Sequence, residues 1–196
     1  FPLFVKPCNA GSSVGAGKAN SEKELSMALM EAFLWDNKVL IEKAVNAKEI
    51  ECSVTGISTC ESPDNSCSVV KAYLPGEILP THEFYDYDAK YTDPDGAKLK
   101  IPAEITEEQI AEIQQIAVKA YKAVDASGLS RVDFFVDKTN GKIYLNEINT
   151  LPGFTSISMF PKMCEASGLK YSDLIELLLD EAVIRHSARM QLQTSL

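Results

Sequence analysis

The apolar pattern of this chain changes period several times. Residues 131–153, RVDFFVDKTNGKIYLNEINTLPG, read as two strands around an Asn140-Gly141 turn, but Arg131, Asp133, Glu147 and Asn149 interrupt their apolar positions. Upstream, PLFVKP (2–7) predicts a short strand, NAGSSVGAGK (9–18) a small-residue loop, and KVLIEKAV (38–45) another strand. Ser21 and Glu24 form an S-x-x-E capping box for a helix over 22–35, whose apolar face is Leu25, Ala28, Leu29, Ala32 and Phe33. In KEIECSVTGI (48–57), Ile50, Cys52 and Val54 alternate with Glu49, Glu51 and Ser53, which predicts a half-buried strand. Residues 67–79 carry one more strand or a bent hairpin, and 81–100 lack a clean period and predict a long loop. Thr106 and Gln109 box a helix over 107–126 with Ile110, Ile113, Ile116, Ala117 and Ala120 inward and Gly128 after its end. Ser172 caps a closing helix over 172–191. Strands in runs with helices between them predict an α+β fold with a largely antiparallel sheet.

The polar interruptions become informative once a register is assumed. A three-residue loop, Thr139-Asn140-Gly141 with Gly141 left-handed, pairs 138 with 142. Asp133 then faces Glu147, Arg131 faces Asn149 and Phe135 faces Leu145, all on one side of the hairpin. Adjacent carboxylates repel, and a divalent cation reverses that sign. Asp, Glu and Asn oxygens suit Mg²⁺, which takes one or two carboxylates plus phosphate oxygens. Arg131 beside them can hold a phosphate or a developing negative charge. Phe135 and Leu145 offer an apolar wall for a purine. The same spacing also suits an ordinary hairpin with solvated acids, and a slip of one residue would separate Asp133 from Glu147.

Other stretches are weaker alone. NAGSSVGAG offers backbone N–H groups that can wrap phosphate but lacks the G-x-x-x-x-G-K-[ST] pattern, and it equally reads as a plain loop. Lys6 can reach the same phosphates or be a surface lysine, and IEKAVNAKE (41–49) is either an adenine-reading edge or a charged strand end.

Composition narrows the classes. The chain has 196 residues, 45% of them hydrophobic, enough for one large or two small cores. A net charge of −9 argues against a nucleic-acid groove. No apolar run approaches the roughly 20 residues of a membrane helix, and no secretory signal is read. Five scattered cysteines, Cys8, Cys52, Cys60, Cys67 and Cys164, predict free and mostly buried thiols in a reducing cytoplasm, with a Cys60–Cys67 pair the one alternative. His82 and His186 lack ligand partners nearby and predict surface or loop roles. The strand-like start, FPLFVKP without an initiator Met, predicts a piece of a longer protein.

Taken together and in order, FVKPCNAGSSVG (4–15), EFYDYDAKY (83–91), SRVDFF (130–135) and NEINTLPGFTSISMFP (146–161) resemble the signature stretches of the ATP-grasp superfamily, and within it the D-alanine–D-alanine ligases. The resemblance covers essentially the whole chain. It implies two α+β subdomains with largely antiparallel sheets enclosing a nucleotide: 1–45 with the phosphate flap, and 46–196. An N-terminal substrate domain of roughly a hundred residues, about one typical domain, would be absent, leaving the isolated chain inactive.

The activity so implied is ATP-dependent joining of two D-alanines through an acyl phosphate, for peptidoglycan. Two Mg²⁺ (or Mn²⁺) ions would assist, in a cytoplasmic enzyme that is a homodimer when full length and binds neither nucleic acid nor membrane. By position in the motifs, Lys6, Ser13, Glu42, Lys43, Val45, Glu49, Lys90 and Phe135 would serve ATP. Ser12 and Tyr91 would act with Arg131 in catalysis, on the flap and on the lid that keeps water from the acyl phosphate. Asp133, Glu147 and Asn149 would ligate metal, and Gly153, Ser158 and Met159 would line the second D-alanine site. D-alanine–D-serine and D-alanine–D-lactate ligases, other ATP-grasp ligases and a non-catalytic nucleotide-binding module remain alternatives. Tyr91 and the apolar Met159 favour D-alanine in the second site.

Overall fold

Strand β4 of this chain, Ala47–Ile57, is flanked by strands on both edges and covered by helices on both faces. The computed structural model describes residues 1–11, 13–58, 69–80, 97–155 and 158–193. Two compact units are present, Phe1–Asn46 with Leu79–Lys98, and Ala47–Ile78 with Leu99–Leu196.

In the first unit, β1 (Leu3–Pro7) lies between β2 (Gly17–Ala19) and β3 (Val39–Lys43), antiparallel to both. Helix α1, Glu22–Ala32, starts at Ser21, whose hydroxyl accepts the Glu24 N–H. Glu24 closes the start by accepting from the Asn20 backbone at 2.8 Å, one residue ahead of the expected box. Val5, Ala19 and Ala32 are fully buried. Phe33 departs from the expected apolar face: it caps the helix and is 54% exposed.

The larger sheet runs β7-β6-β4-β8-β9, with β5 also on β4; here β5 is Lys71–Ala72, β6 Gly76–Pro80, β7 Ala97–Lys100, β8 Ser127–Asp137 and β9 Ile143–Asn149. Helix α2, Glu107–Ala123, opens with the expected Thr106–Gln109 capping box. Its Ile113, Ala117 and Tyr121 pack against Ile50, Cys52, Val54, Val132, Phe134 and Val136. It ends before Gly128; Asp125, at φ +53°, takes the left-handed position.

Alternation along β4 puts Ser53 and Thr55 on the other face. There the Ser53 hydroxyl donates to the Phe160 carbonyl at 3.0 Å, and Thr55 bonds the Tyr73 hydroxyl at 2.8 Å. Phe160 belongs to α3, Met159–Ala166, and packs with Cys164, Tyr73 and Leu174. Leu174 comes from α4, Tyr171–Met190. Ser172 does not cap α4: Lys170 holds that position, and the Ser172 hydroxyl donates to Asp173. This cover on both faces is why β4 is buried on both sides from Ile50 onward, where alternation predicted one wet face. Glu51, Ser53 and Thr55 are among its buried polar residues.

Cys8, Cys52 and Cys164 are free thiols, the last two buried, while Cys60, Cys67, His82 and most of the 81–100 loop lie outside the described residues. His186 is exposed on α4. Among the described residues no helix is long and apolar enough to cross a membrane.

Phe134 is 1% exposed and Met30 73%. Phe134→Ala is expected to destabilise by about 3–5 kcal/mol through lost burial and a residual cavity. Met30→Ala should stay within about 0.5 kcal/mol; urea midpoints of the two variants check this. Burial pushes the Cys52 and Cys164 thiols up to about 12, and raises Tyr73 and Tyr121 as well. The unfolded chain releases thiol protons from near pH 9.0, whereas the folded chain holds them. Stability from the neutral thiols is therefore complete below that pH and is lost as pH rises toward 12. The urea midpoint should fall steadily above pH 9, with part of that slope removed by Cys52→Ala and Cys164→Ala.

Candidate active site

The β8–β9 hairpin brings the interrupting polar residues together. Asp133 pairs with Glu147 and Arg131 with Asn149, while Val132, Phe134 and Val136 alternate into the core. The register arises differently from the simple loop expected. Asp137 and Lys142 close the turn: the Asp137 N–H donates to the Lys142 carbonyl at 2.9 Å, and the Gly141 N–H to the Asp137 carbonyl at 2.8 Å. Gly141 is left-handed at φ +72°. The loop is thus 138–141, one residue longer than Thr139-Asn140-Gly141. A bulge between Asp133 and Phe134 absorbs the extra residue, Asn146, and restores the pairing of Asp133 with Glu147. Between bulge and turn the register stays shifted. Phe135 therefore faces Tyr144, and Leu145 faces Phe134, which corrects the expected Phe135–Leu145 wall.

Strand β4 extends these pairs into rows. Glu51, Asp133 and Glu147 form one row across three strands, and Ser53, Arg131 and Asn149 the next. Glu49, Phe135 and Tyr144 form a third. The Arg131 guanidinium forks onto Asp133, Nε to Oδ1 and Nη2 to Oδ2, each at 2.7 Å. Its Nε also lies 3.3 Å from Glu51 Oε2. Side-chain exposures of 23% for Arg131, 13% for Asp133 and 8% for Glu51 make this a shielded cluster. Burial works against the arginine's charge, but the bond to Asp133 and the charges of Glu51, Asp133 and Glu147 outweigh it. They hold the guanidinium above its ordinary pKa. Glu51 is the partner that alternation concealed. Its strand pairs with β8 about eighty residues away, and no local signal places a carboxylate from one beside an arginine of the other.

The Asn149 amide nitrogen bridges the two carboxylates, donating to Asp133 Oδ2 at 3.1 Å and Glu147 Oε1 at 3.2 Å. A positive group is thus favoured between them. Turning the amide would present its carbonyl oxygen instead, completing an all-oxygen set of two carboxylates and an amide. That chemistry fits a hard divalent cation such as Mg²⁺. Among the described residues no three His, Cys, Asp or Glu side chains form a metal cage by themselves.

Around Ser158, Gly153 and Ser158 are in contact: a Cβ on Gly153 would lie 3.0 Å from the Ser158 hydroxyl oxygen. Ser158 is the N-cap of α3 but makes no capping bond with its side chain. Its hydroxyl instead accepts the Thr155 N–H at 3.0 Å, next to helix N–H groups that favour an anion. Met159 does not join an open surface. It is 6% exposed, and its Cε fills the space a Gly76 side chain would need.

In the first unit, Lys6 on β1 pairs with Glu42 on β3, Nζ to Oε2 at 2.9 Å, bringing two of the ATP candidates together. Lys43 is exposed and Val45 half-buried. Ser13 sits in a tight turn at φ +59°, where its carbonyl accepts the Ala16 N–H at 3.2 Å. Glu49 lies half-buried on β4 of the other unit, opposite Ile78 and Phe135. Ser12, Lys90 and Tyr91 lie outside the described residues.

The α+β architecture with antiparallel sheets is that of an ATP-grasp fold. The chain belongs to the family described as D-ala D-ala ligase C-terminus, whose model matches residues 1–180. It is 59% identical to a D-alanine–D-alanine ligase of Treponema denticola over 194 residues, covering 99% of this chain and 50% of that protein. It is 52% identical to one of Acetivibrio thermocellus, covering 97% and 48%. Among solved structures, the D-alanine–D-alanine ligase from Coxiella burnetii matches with TM-score 0.78 and 39% identity, over 96% of this chain and 47% of that one. The VanG D-Ala:D-Ser ligase from Enterococcus faecalis matches with TM-score 0.77 and 38% identity, over 91% and 49%. The chain thus spans about half the length of the curated relatives it matches.

Replacing Arg131 by Gln removes its positive charge from beside Asp133 and Glu51. A loss of about 3 kcal/mol is expected, the low end for removing one partner of a buried ion pair. Part of it should return when millimolar Mg²⁺ is added, because a ligand that binds only the folded state stabilises it. Denaturant unfolding with and without Mg²⁺ reads both effects.

Proposed function

We propose that this chain is the ATP-grasp portion of a cytoplasmic, ATP-dependent ligase that joins two D-alanines for peptidoglycan and is dimeric as the complete protein. The observation that carries the reading is the two adjacent pairs Arg131–Asn149 and Asp133–Glu147 on one sheet face. Membership of the ligase family supports it.

In this reading Asp133, Glu147 and Asn149 hold two Mg²⁺ (or Mn²⁺) ions, which when bound neutralise the phosphate charge of ATP. Lys6 and Ser13, with Ser12, hold the phosphates. Glu42, Lys43 and Val45 hold the adenine, Glu49 the ribose, and Phe135 the apolar side of the nucleotide. A carboxylate oxygen of the first D-alanine attacks the γ-phosphorus, and the bond from that phosphorus to the ADP oxygen breaks. The amine of the second D-alanine then attacks the acyl carbon and loses a proton, and phosphate leaves. Arg131 stabilises the negative charge that develops in both steps. Lys90 and Tyr91 belong to the closing lid, which protects the acyl phosphate from water. Gly153 and Ser158 orient the second D-alanine, its carboxylate toward Ser158, while Met159 supports that site from within the core.

A second reading is kept by one observation: the likeness to a D-Ala:D-Ser ligase nearly equals that to a D-alanine–D-alanine ligase in TM-score. D-serine in the second site is therefore the alternative, with D-lactate behind it.

The test is ATP-dependent phosphate release by the complete protein with Mg²⁺, with the product identified by mass. Release with D-alanine alone, yielding D-alanyl-D-alanine, is the expected result. Release only when D-serine or D-lactate is added would reassign the second substrate. The 196-residue chain alone is expected to make little dipeptide. Glu147→Gln should lower turnover by about a hundredfold or more, the scale of losing a group that stabilises transition-state charge. Unchanged turnover would remove Glu147 from the metal-assisted step.

A further inference from the structure

We infer that Glu51 is a positioning residue for Arg131, keeping the guanidinium in its row when Asp133 turns to a divalent cation. The inference rests on the reading of Asp133, Glu147 and Asn149 as the cation site. Glu51 is 6% exposed, so it does not offer its carboxylate to a ligand at the surface. It faces Asp133 across the β4–β8 pair and lies 3.3 Å from Arg131 Nε.

Asp133 has two oxygens, and Arg131 engages both at 2.7 Å. An oxygen so engaged is a poorer cation ligand, because the guanidinium competes for the same lone pairs. Once Asp133 serves a cation, Arg131 loses part of its fork and feels a new positive charge close by. Without a second anion the guanidinium would be driven from the row. Glu51 supplies that anion from the opposite strand, within a shielded cluster where screening is weak. Its place in the row beside Arg131 also accounts for a carboxylate on a strand buried on both faces, where an apolar residue would pack without desolvation loss. Glu51 thus acts through Arg131 and touches neither nucleotide nor amino acid.

The experiment is a double-mutant cycle in the complete ligase, with Glu51→Gln, Arg131→Gln and the double variant. It reads kcat, the KM for ATP and Mn²⁺ affinity by electron paramagnetic resonance. Should Arg131→Gln not fold, Arg131→Lys, which keeps the charge but loses the fork, replaces it. Glu51→Gln is expected to lower kcat by about tenfold, the middle of the range for groups in contact. It should also weaken Mn²⁺ binding, because Arg131 then holds Asp133 more tightly. In the Arg131 variant the same change should alter both quantities by less than about twofold, as expected when two residues act through one group. Glu51→Asp should recover part of kcat.

Effects of Glu51→Gln that multiply with those of the Arg131 variant would overturn the inference, since they would mean that Glu51 acts directly through its charge. An unchanged kcat in Glu51→Gln, with Arg131→Gln impaired, would also overturn it while leaving the site reading intact. An unimpaired Arg131 variant would remove Arg131 from the proposed reaction and this inference with it, while Mn²⁺ binding unchanged in Asp133→Asn would remove the cation-site reading itself.

Discussion

The bidentate bond between Arg131 and Asp133 is the interaction on which this site depends. It is short, shielded and placed between two further carboxylates. Three acidic side chains in one row across a sheet would repel strongly in a medium that screens little. The guanidinium offsets that repulsion from one side, and the Asn149 amide from the other. What remains is a cluster with an excess of negative charge and oxygen donors on one face. Such a cluster has a net charge and a donor set that a divalent cation would complement.

The rest of the fold holds that row at fixed register. Val132, Phe134 and Val136 anchor β8 to the core beneath α2, so the alternate residues Arg131, Asp133 and Phe135 must lie on the other face. Strand β4 is clamped through Ser53 to α3 and through Thr55 to Tyr73. A slip of β4 along β8 would break those bonds and bury the wrong side chains. Core packing and polar chemistry therefore specify the same register, and the functional face follows from the apolar one.

The hairpin shows how far the amino-acid sequence carries such an argument. Asp133 opposite Glu147 and Arg131 opposite Asn149 were legible, because alternation and the Asn140-Gly141 turn bound the choices. The route to that pairing was not. The loop is one residue longer than the simplest turn, and the bulge at Asn146 cancels the difference beyond it, so the Asp133–Glu147 and Arg131–Asn149 pairs are kept while Ile143, Tyr144 and Leu145 each shift by one partner. A bulge is set by competition between turn geometry and core packing, and neither is visible in local periodicity. Glu51 was hidden for a related reason: its alternation reads as solvent-facing until helices from distant sequence cover that face. Phe33 shows the opposite failure, where an apolar side chain suggested burial and the end of the helix left it 54% exposed.

The central claim is that this row receives a divalent cation between Asp133, Glu147 and Asn149. Anomalous scattering from crystals of the complete protein with Mn²⁺ and a non-hydrolysable ATP analogue tests it most directly. The account predicts a manganese peak within ligand distance of oxygens from all three residues, with Arg131 still in its row beside Glu51. A peak held only by the nucleotide phosphates, with the Arg131 fork on Asp133 unchanged, would contradict it.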